Sequence, residues 1–338
     1  MGFADAARAE RLLRTDLRAI DPDHRRSESG EAADRPRTDA VLAALAAAAD
    51  PDLALTGLAR LAGAAKDPAA LFQALRDEPD FRDRLTAVLG VSAGLADHLA
   101  RHPEDAGELR GDIGRPEPAE LRDQMLRAVG ADPRLADPVA AGPVAAGPEQ
   151  GGSVAALAAA YRRRLLHLAA RDLTGAATVD EVGEELADLA AAVLEAALAV
   201  ARSELPGGAE SHAPCRLAVV AMGKCGGREL NYASDVDVIF VAEPVRDGDE
   251  TAALATAGRL AAGLIGVCAR STPEGSIVPV DPNLRPEGRS GPLVRTLASH
   301  RAYYERWAKT WEFQALLKAR PVAEIGRASC RERVSCCV

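Results

Sequence analysis

Aromatic residues make up only 3% of this 338-residue chain, which has two tryptophans and five phenylalanines. Aliphatic side chains must therefore fill the core, and alanine supplies much of the 48% hydrophobic content. Alanine loses no side-chain entropy in a helix, so helices are the expected bulk of the fold. No uninterrupted apolar run reaches the roughly 20 residues that a bilayer requires. The N-terminus lacks the basic-then-apolar pattern of a signal peptide. Ala6 stands where a myristoylation motif places Ser or Thr. These absences predict a soluble, cytoplasmic protein without a membrane partner. A net charge of -9 gives no basic footprint for nucleic acid.

Metal-binding cysteine patterns are also missing. Cys215, Cys225 and Cys268 are scattered without ligand spacing and are expected to be reduced and incidental. The other three cysteines lie in the last nine residues. Residues 325–338 break in composition with what precedes them and show neither helical nor strand periodicity. They resemble a translated sequencing adapter, so 324–338 is set aside as a non-native tail. On that reading the natural protein continues past about residue 323 and this chain is a fragment.

Residues 1–131 carry apolar side chains at helical spacing, punctuated by joints such as Asp50-Pro51, Asp67-Pro68 and His102-Pro103. No constant period indicates a solenoid. Residues 21–37 are charged and are expected to form an exposed loop. Residues 132–152 hold four prolines among Ala and Gly and read as a flexible linker. Helices leading to the core follow over 153–210: one at Val154–Leu173, then one at Thr178–Leu205 that opens on a Thr178-x-x-Glu181 capping box. Strands are predicted at Leu217–Met222, Val236–Val241 and Ser276–Asp281. Helices are predicted at Glu250–Ser271 and Ser299–Ala319. The fold class is α+β, with a helical N-terminal region and a catalytic core over 211–323.

Chemistry concentrates in Gly223–Asp237. Asp235 and Asp237 stand two apart at the start of a strand, so they share a face. Two carboxylates this close repel unless a cation neutralises them, and Mg²⁺ or Mn²⁺ prefers oxygen ligands. Upstream, the strand Leu217–Met222 runs into Gly223-Lys224 and Gly226-Gly227. Glycines let backbone N–H groups approach a phosphate, and Lys224 adds a point charge. Neither a Rossmann nor a Walker pattern is present. Asp281 ends the next strand and supplies a third carboxylate; three can hold the metals of a phosphoryl displacement. Pro279 lacks an N–H, so that strand should lie at an edge or be irregular. Arg285 and Arg289 are candidate phosphate ligands, Arg285 the better placed, and Ser234 beside Asp235 joins them. The aromatics from Tyr303 to Phe313 are expected to form a packing seam, with Lys318 or Arg320 in reach of the site.

These strings resemble the glutamine synthetase adenylyltransferase/adenylyl-removing family. The likeness rests on Ala221–Phe240, Val280–Val294, Tyr303–Arg320 and Tyr161–Leu173. It implies a nucleotidyltransferase-type mixed sheet flanked by helices, with Asp235, Asp237 and Asp281 as metal ligands and catalytic residues. Gly223-Lys224 stands where the wider superfamily often has Gly-Ser. The family is bifunctional. With Met1 at the start and one core, the resemblance implies the half that uses phosphate to release ADP from adenylylated glutamine synthetase. The alternatives are AMP transfer from ATP to a tyrosine of that enzyme, or an inactive truncated regulatory fragment. The implied partners are glutamine synthetase, ATP, ADP, phosphate and a PII-type signalling protein.

Overall fold

The computed structural model describes residues 4–13, 35–141, 152–208, 214–245 and 248–326. They fall into two compact units, Met1–Arg115 with Arg162–Thr178, and Pro116–Tyr161 with Val179–Val338.

The first unit is helical: α1 (Ala6–Leu12), α2 (Arg35–Ala47), α3 (Pro51–Ala64), α4 (Pro68–Asp77), α5 (Pro79–Leu89), α6 (Ala93–Arg101) and a 3₁₀ segment over Pro103–Leu109. The Asp-Pro joints are helix starts. Asp50 and Asp67 are N-caps whose carboxylates accept from the Leu53 and Ala70 N–H groups, at 2.9 and 3.0 Å. The proline that follows each sits where a missing N–H costs nothing. Leu55, Leu58, Leu61, Leu85, Leu89 and Leu99 are fully buried in the core of this unit. Inside it the His98 ring nitrogen and the Arg163 guanidinium share Asp105, at 2.9 and 2.8 Å. Burial opposes the Asp105 charge, but those two hydrogen bonds outweigh it and hold the carboxyl below its usual range.

The second unit carries the sheet. Helix α7 (Pro118–Ala128) packs on α9 (Val179–Ser203), and the Arg122 guanidinium grips both Glu195 oxygens at 2.9 and 2.8 Å. Helix α8 (Gly152–Leu173) divides between the units at Tyr161. Strand β1 (Cys215–Ala221) leads through the one-turn α10 (Gly223–Gly226) to β2 (Val236–Pro244). Then come α11 (Glu250–Ala269), β3 (Val280–Asp281), β4 (Val294–Arg295), α12 (Leu297–Arg306), α13 (Thr310–Leu316) and β5 (Arg320–Ile325). The strand order is β3-β2-β1-β5, with β4 beside β3's edge of β2. Strands β1 and β2 are antiparallel, as are β1 and β5; β3 and β4 run parallel to β2. This mixed sheet with flanking helices is the expected nucleotidyltransferase-type α+β arrangement.

Helix α11 is long and apolar enough, by length and composition, to cross a membrane, although Arg259 interrupts it. Here Ala253, Ala257, Leu260, Leu264 and Val267 are buried against α9, β1 and β2. That packing also explains why α9 is buried nearly all round.

Four expectations need correction. The helix expected over Ser299–Ala319 is two helices. The Glu312 carboxylate accepts from the Lys309 N–H and the Tyr303 hydroxyl, both at 2.8 Å, and starts α13 afresh. The aromatic seam is not core: Trp307 is 73% exposed, and Trp311 and Phe313 about half. Residues 132–141 are anchored, not a loose linker. The Ala140 N–H donates to the Ala199 carbonyl, and the Arg202 guanidinium takes the Asp137 and Pro138 carbonyls. Finally, Glu324 and Ile325, counted with the tail, pair within β5 opposite Ala218 and Leu217. Residues 21–34, 142–151 and 327–338 lie outside the described residues.

His300 on α12 is buried beside β2. Burial pushes its imidazole down to about 4, against a hydrogen bond with the Phe240 backbone that favours the charged form. His167 in the first unit is likewise pushed by burial to about 4. A folded pKa below the unfolded 6.5 means that the unfolded chain takes up the proton first. Stability should therefore hold above pH 6.5 and fall as pH drops toward 4, by up to about 3 kcal/mol per histidine. Denaturant midpoints across that range check this, and His300→Gln should flatten the slope.

Candidate active site

Val236, Val238 and Phe240 point to the buried side of β2. Asp235, Asp237, Ile239 and Val241 alternate to the other side. There Ile239 joins Val220 and Met222 in a small apolar floor, against which Leu284, Ala315 and Leu316 pack. The carboxylates rise at one end of that floor.

Parallel pairing of β2 with β3 sets Asp237 opposite Asp281, and Val236 opposite Val280. Just before β3, the Pro279 carbonyl accepts from the Val236 N–H at 2.9 Å. Proline thus serves the sheet as an acceptor where it cannot donate. Asp281 Oδ1 accepts from the Asn283 N–H at 2.7 Å, which fixes its rotamer at the start of the following turn. Asp237 is half-buried. Burial raises its pKa first, then the charges of Asp281 and Asp235, with Lys224 opposing them. Asp281 on β3 and Asp235, the residue before β2, thus both act on Asp237. Among the described residues none of the three forms an ion pair. An all-oxygen donor set with only Lys224 opposing the charge at Asp237 fits a divalent metal.

The glycine turn sits against this cluster. Gly223 has φ +52°, and a Cβ there would lie 2.4 Å from Asp237 Oδ2. The Met222 N–H donates to the Asp237 carbonyl at 2.8 Å. Only a residue without a side chain lets the turn lie flush against the carboxylate. Lys224 is exposed at the turn, and Ser234 is partly exposed beside Asp235. Cys225 is buried, and burial pushes its thiol up to about 11, which suits a filler and not a nucleophile.

The arginines fall differently from expectation. Arg285 is committed to its own loop, donating to the carbonyls of Pro282, Gly291 and Arg289 at 2.8, 3.2 and 3.4 Å. Its guanidinium shapes the turn after Asp281. Arg289 is exposed. Glu287 pairs with Arg295. Sequence reasoning passed over Asp188 and Arg228, which hold the far side of the glycine turn together with Arg320. Arg320 donates to the Cys225 and Gly226 carbonyls at 3.0 and 3.4 Å. Lys318 pairs with Glu229.

The glutamate-ammonia ligase adenylyltransferase family model matches residues 82–334, three quarters of the chain and the whole of this constellation. The chain belongs to that family. The adenylyltransferase match runs past Ala323, through β5. Two bifunctional glutamine synthetase adenylyltransferase/adenylyl-removing enzymes, from Streptomyces avermitilis and Streptomyces coelicolor, are 50% identical over 95% of the chain. One from Cutibacterium acnes is 45% identical over 81%. The chain spans 29% of the length of the two Streptomyces relatives.

Proposed function

We propose that this chain is an adenylyl-removing catalytic portion that cleaves AMP from a tyrosine of glutamine synthetase by phosphorolysis. The observation that carries the reading is the Asp237–Asp281 register, with Asp235 beside it and the glycine turn closed over Asp237. An oxygen of inorganic phosphate attacks the phosphorus of the AMP–tyrosine diester. The phosphorus–phenol bond breaks, ADP forms, and the tyrosine oxygen leaves to take up a proton. Mg²⁺ or Mn²⁺ bound by Asp235, Asp237 and Asp281 would supply electrostatic stabilisation of the charge gathering on the phosphoryl oxygens. The protein's own part is to hold the three acids in register and to set the backbone of 223–227 beside them. Lys224 adds a cation at the turn, and Ser234, Arg285 and Arg289 are the remaining candidate contacts. The phosphorolytic direction is taken from the family resemblance of the chain as a whole and not from the carboxylates, since AMP transfer from ATP draws on the same three. ATP, ADP, phosphate, a PII-type regulator and a cytoplasmic location belong to the same reading.

Substrate pairing tests it. Adenylylated glutamine synthetase with phosphate and Mg²⁺ or Mn²⁺ should yield ADP and unmodified enzyme. Unmodified glutamine synthetase with ATP should gain no AMP. Labelled AMP appearing on the protein in the second assay, with no ADP in the first, reverses the direction. Silence in both overturns catalysis by this chain.

A further inference from the structure

Arg228 is one of only two non-glycine residues with positive φ among the described residues, at +58°. A left-handed arginine immediately after a glycine turn is strained unless something holds it. Its guanidinium donates to Asp188 Oδ2 at 2.8 Å and lies 3.5 Å from Glu184. Asp188 sits on α9 and is buried, 5% exposed. Its other oxygen faces Arg320, with Nη1 3.9 Å away. The same arginine takes the Cys225 and Gly226 carbonyls. One buried carboxylate therefore orients two arginines. One fixes the end of the turn through its own backbone, and the other grips the carbonyls in the middle. Helix α9 also meets the loop through the Leu230 N–H, which donates to the Gly183 carbonyl at 3.3 Å.

We infer that Asp188 is a positioning residue for the reaction: through Arg228 and Arg320 it sets where the backbone of 223–228 stands relative to Asp237. The inference deepens the proposed function and rests on the glycine turn being the phosphate-handling element. Both arginines are partly solvated, so they tolerate loss of the carboxylate without leaving a fully buried unpaired charge. The loop loses its register and the fold survives.

Asp188→Asn tests this in two readouts. Amide exchange of residues 223–230 should quicken while that of β1 and β2 is unchanged. Phosphorolysis should lose about ten- to a hundredfold in kcat/KM, mostly through KM for phosphate, because misplacement by about 1 Å costs that order. Asp188→Glu should recover part of it. Adding Arg320→Gln to Asp188→Asn should cost little more, since both break one linkage. Unchanged loop exchange overturns the inference, as does a lowered melting temperature with kinetics intact. Should Asp188→Asn fail to fold, Arg320→Gln alone is read in the same way. A wild-type chain without phosphorolysis defeats the proposed function, while the exchange of 223–230 still decides the role of Asp188.

Discussion

Asp237→Asn should abolish turnover, by at least about a thousandfold, and leave the metal-free chain as stable as the parent or slightly more so. Asp237 sits where its charge is least welcome in the absence of a cation. Burial raises its pKa, and Asp281 and Asp235 raise it further. A carboxyl whose folded pKa stands above the unfolded value favours folding at low pH and loses that contribution as pH rises through the folded pKa. At neutral pH the ionised group is therefore a net cost, and a neutral amide of nearly the same shape relieves it. The same substitution removes the central negative charge of the cluster and one of the two Asp237 oxygens. The parent should show a rise in melting temperature with Mn²⁺, and the variant should not. A variant that keeps a tenth of parental activity, or an undiminished Mn²⁺ shift, removes Asp237 from the centre of the site. A conventional salt-bridged aspartate predicts the opposite: its loss lowers stability and no ion restores it.

The parts of this site legible in the sequence are those fixed by local rules. Alternation on β2 puts Asp235 and Asp237 on one face whatever else the chain does. Of the strand expected over Ser276–Asp281 only Val280–Asp281 pairs, and that is enough to set Asp281 opposite Asp237. The first-unit helices announce themselves through Asp-Pro caps, which act within four residues. What the sequence hid depends on distant partners. Strand β5 has two buried side chains, Ala323 and Ile325, too few to signal a strand. It forms because β1 offers an open edge about a hundred residues earlier. The break between α12 and α13 comes from Glu312 capping Lys309 and taking the Tyr303 hydroxyl, a polar competition that apolar periodicity does not register. Arg285 looked like a phosphate ligand because it stands four residues after Asp281. The loop turns back, and its carbonyls claim the guanidinium first. Asp188 lies on a helix whose pattern is that of core packing, and its role appears only when residues 228 and 320 are brought to it.

Gly226→Ala should be the most damaging single methyl group in the second unit. A Cβ at Gly226 would lie 2.0 Å from the Lys318 carbonyl oxygen and 2.6 Å from that of Ala221. Both are backbone atoms, so no rotamer change makes room. Ala221 ends β1 and Lys318 stands two residues before β5, the strand that pairs with β1. To admit the methyl, the turn must rise off the sheet or the entry to β5 must swing away. Either movement stretches the Arg320 contacts to the Cys225 and Gly226 carbonyls. Overpacking of this kind costs about 3 kcal/mol, which corresponds to a melting temperature lower by roughly 10 °C for a domain of this size. The residual folded protein should also be slow, because its glycine turn is displaced from Asp237. Gly266→Ala, on the α11 helix where a Cβ meets nothing within 4 Å, is the control and should leave the melting temperature unchanged or slightly higher. Equal melting curves for the two variants would mean that the turn is not seated on the Lys318 and Ala221 carbonyls. The linkage from α9 through Arg320 to the glycine turn would then lose its geometric basis.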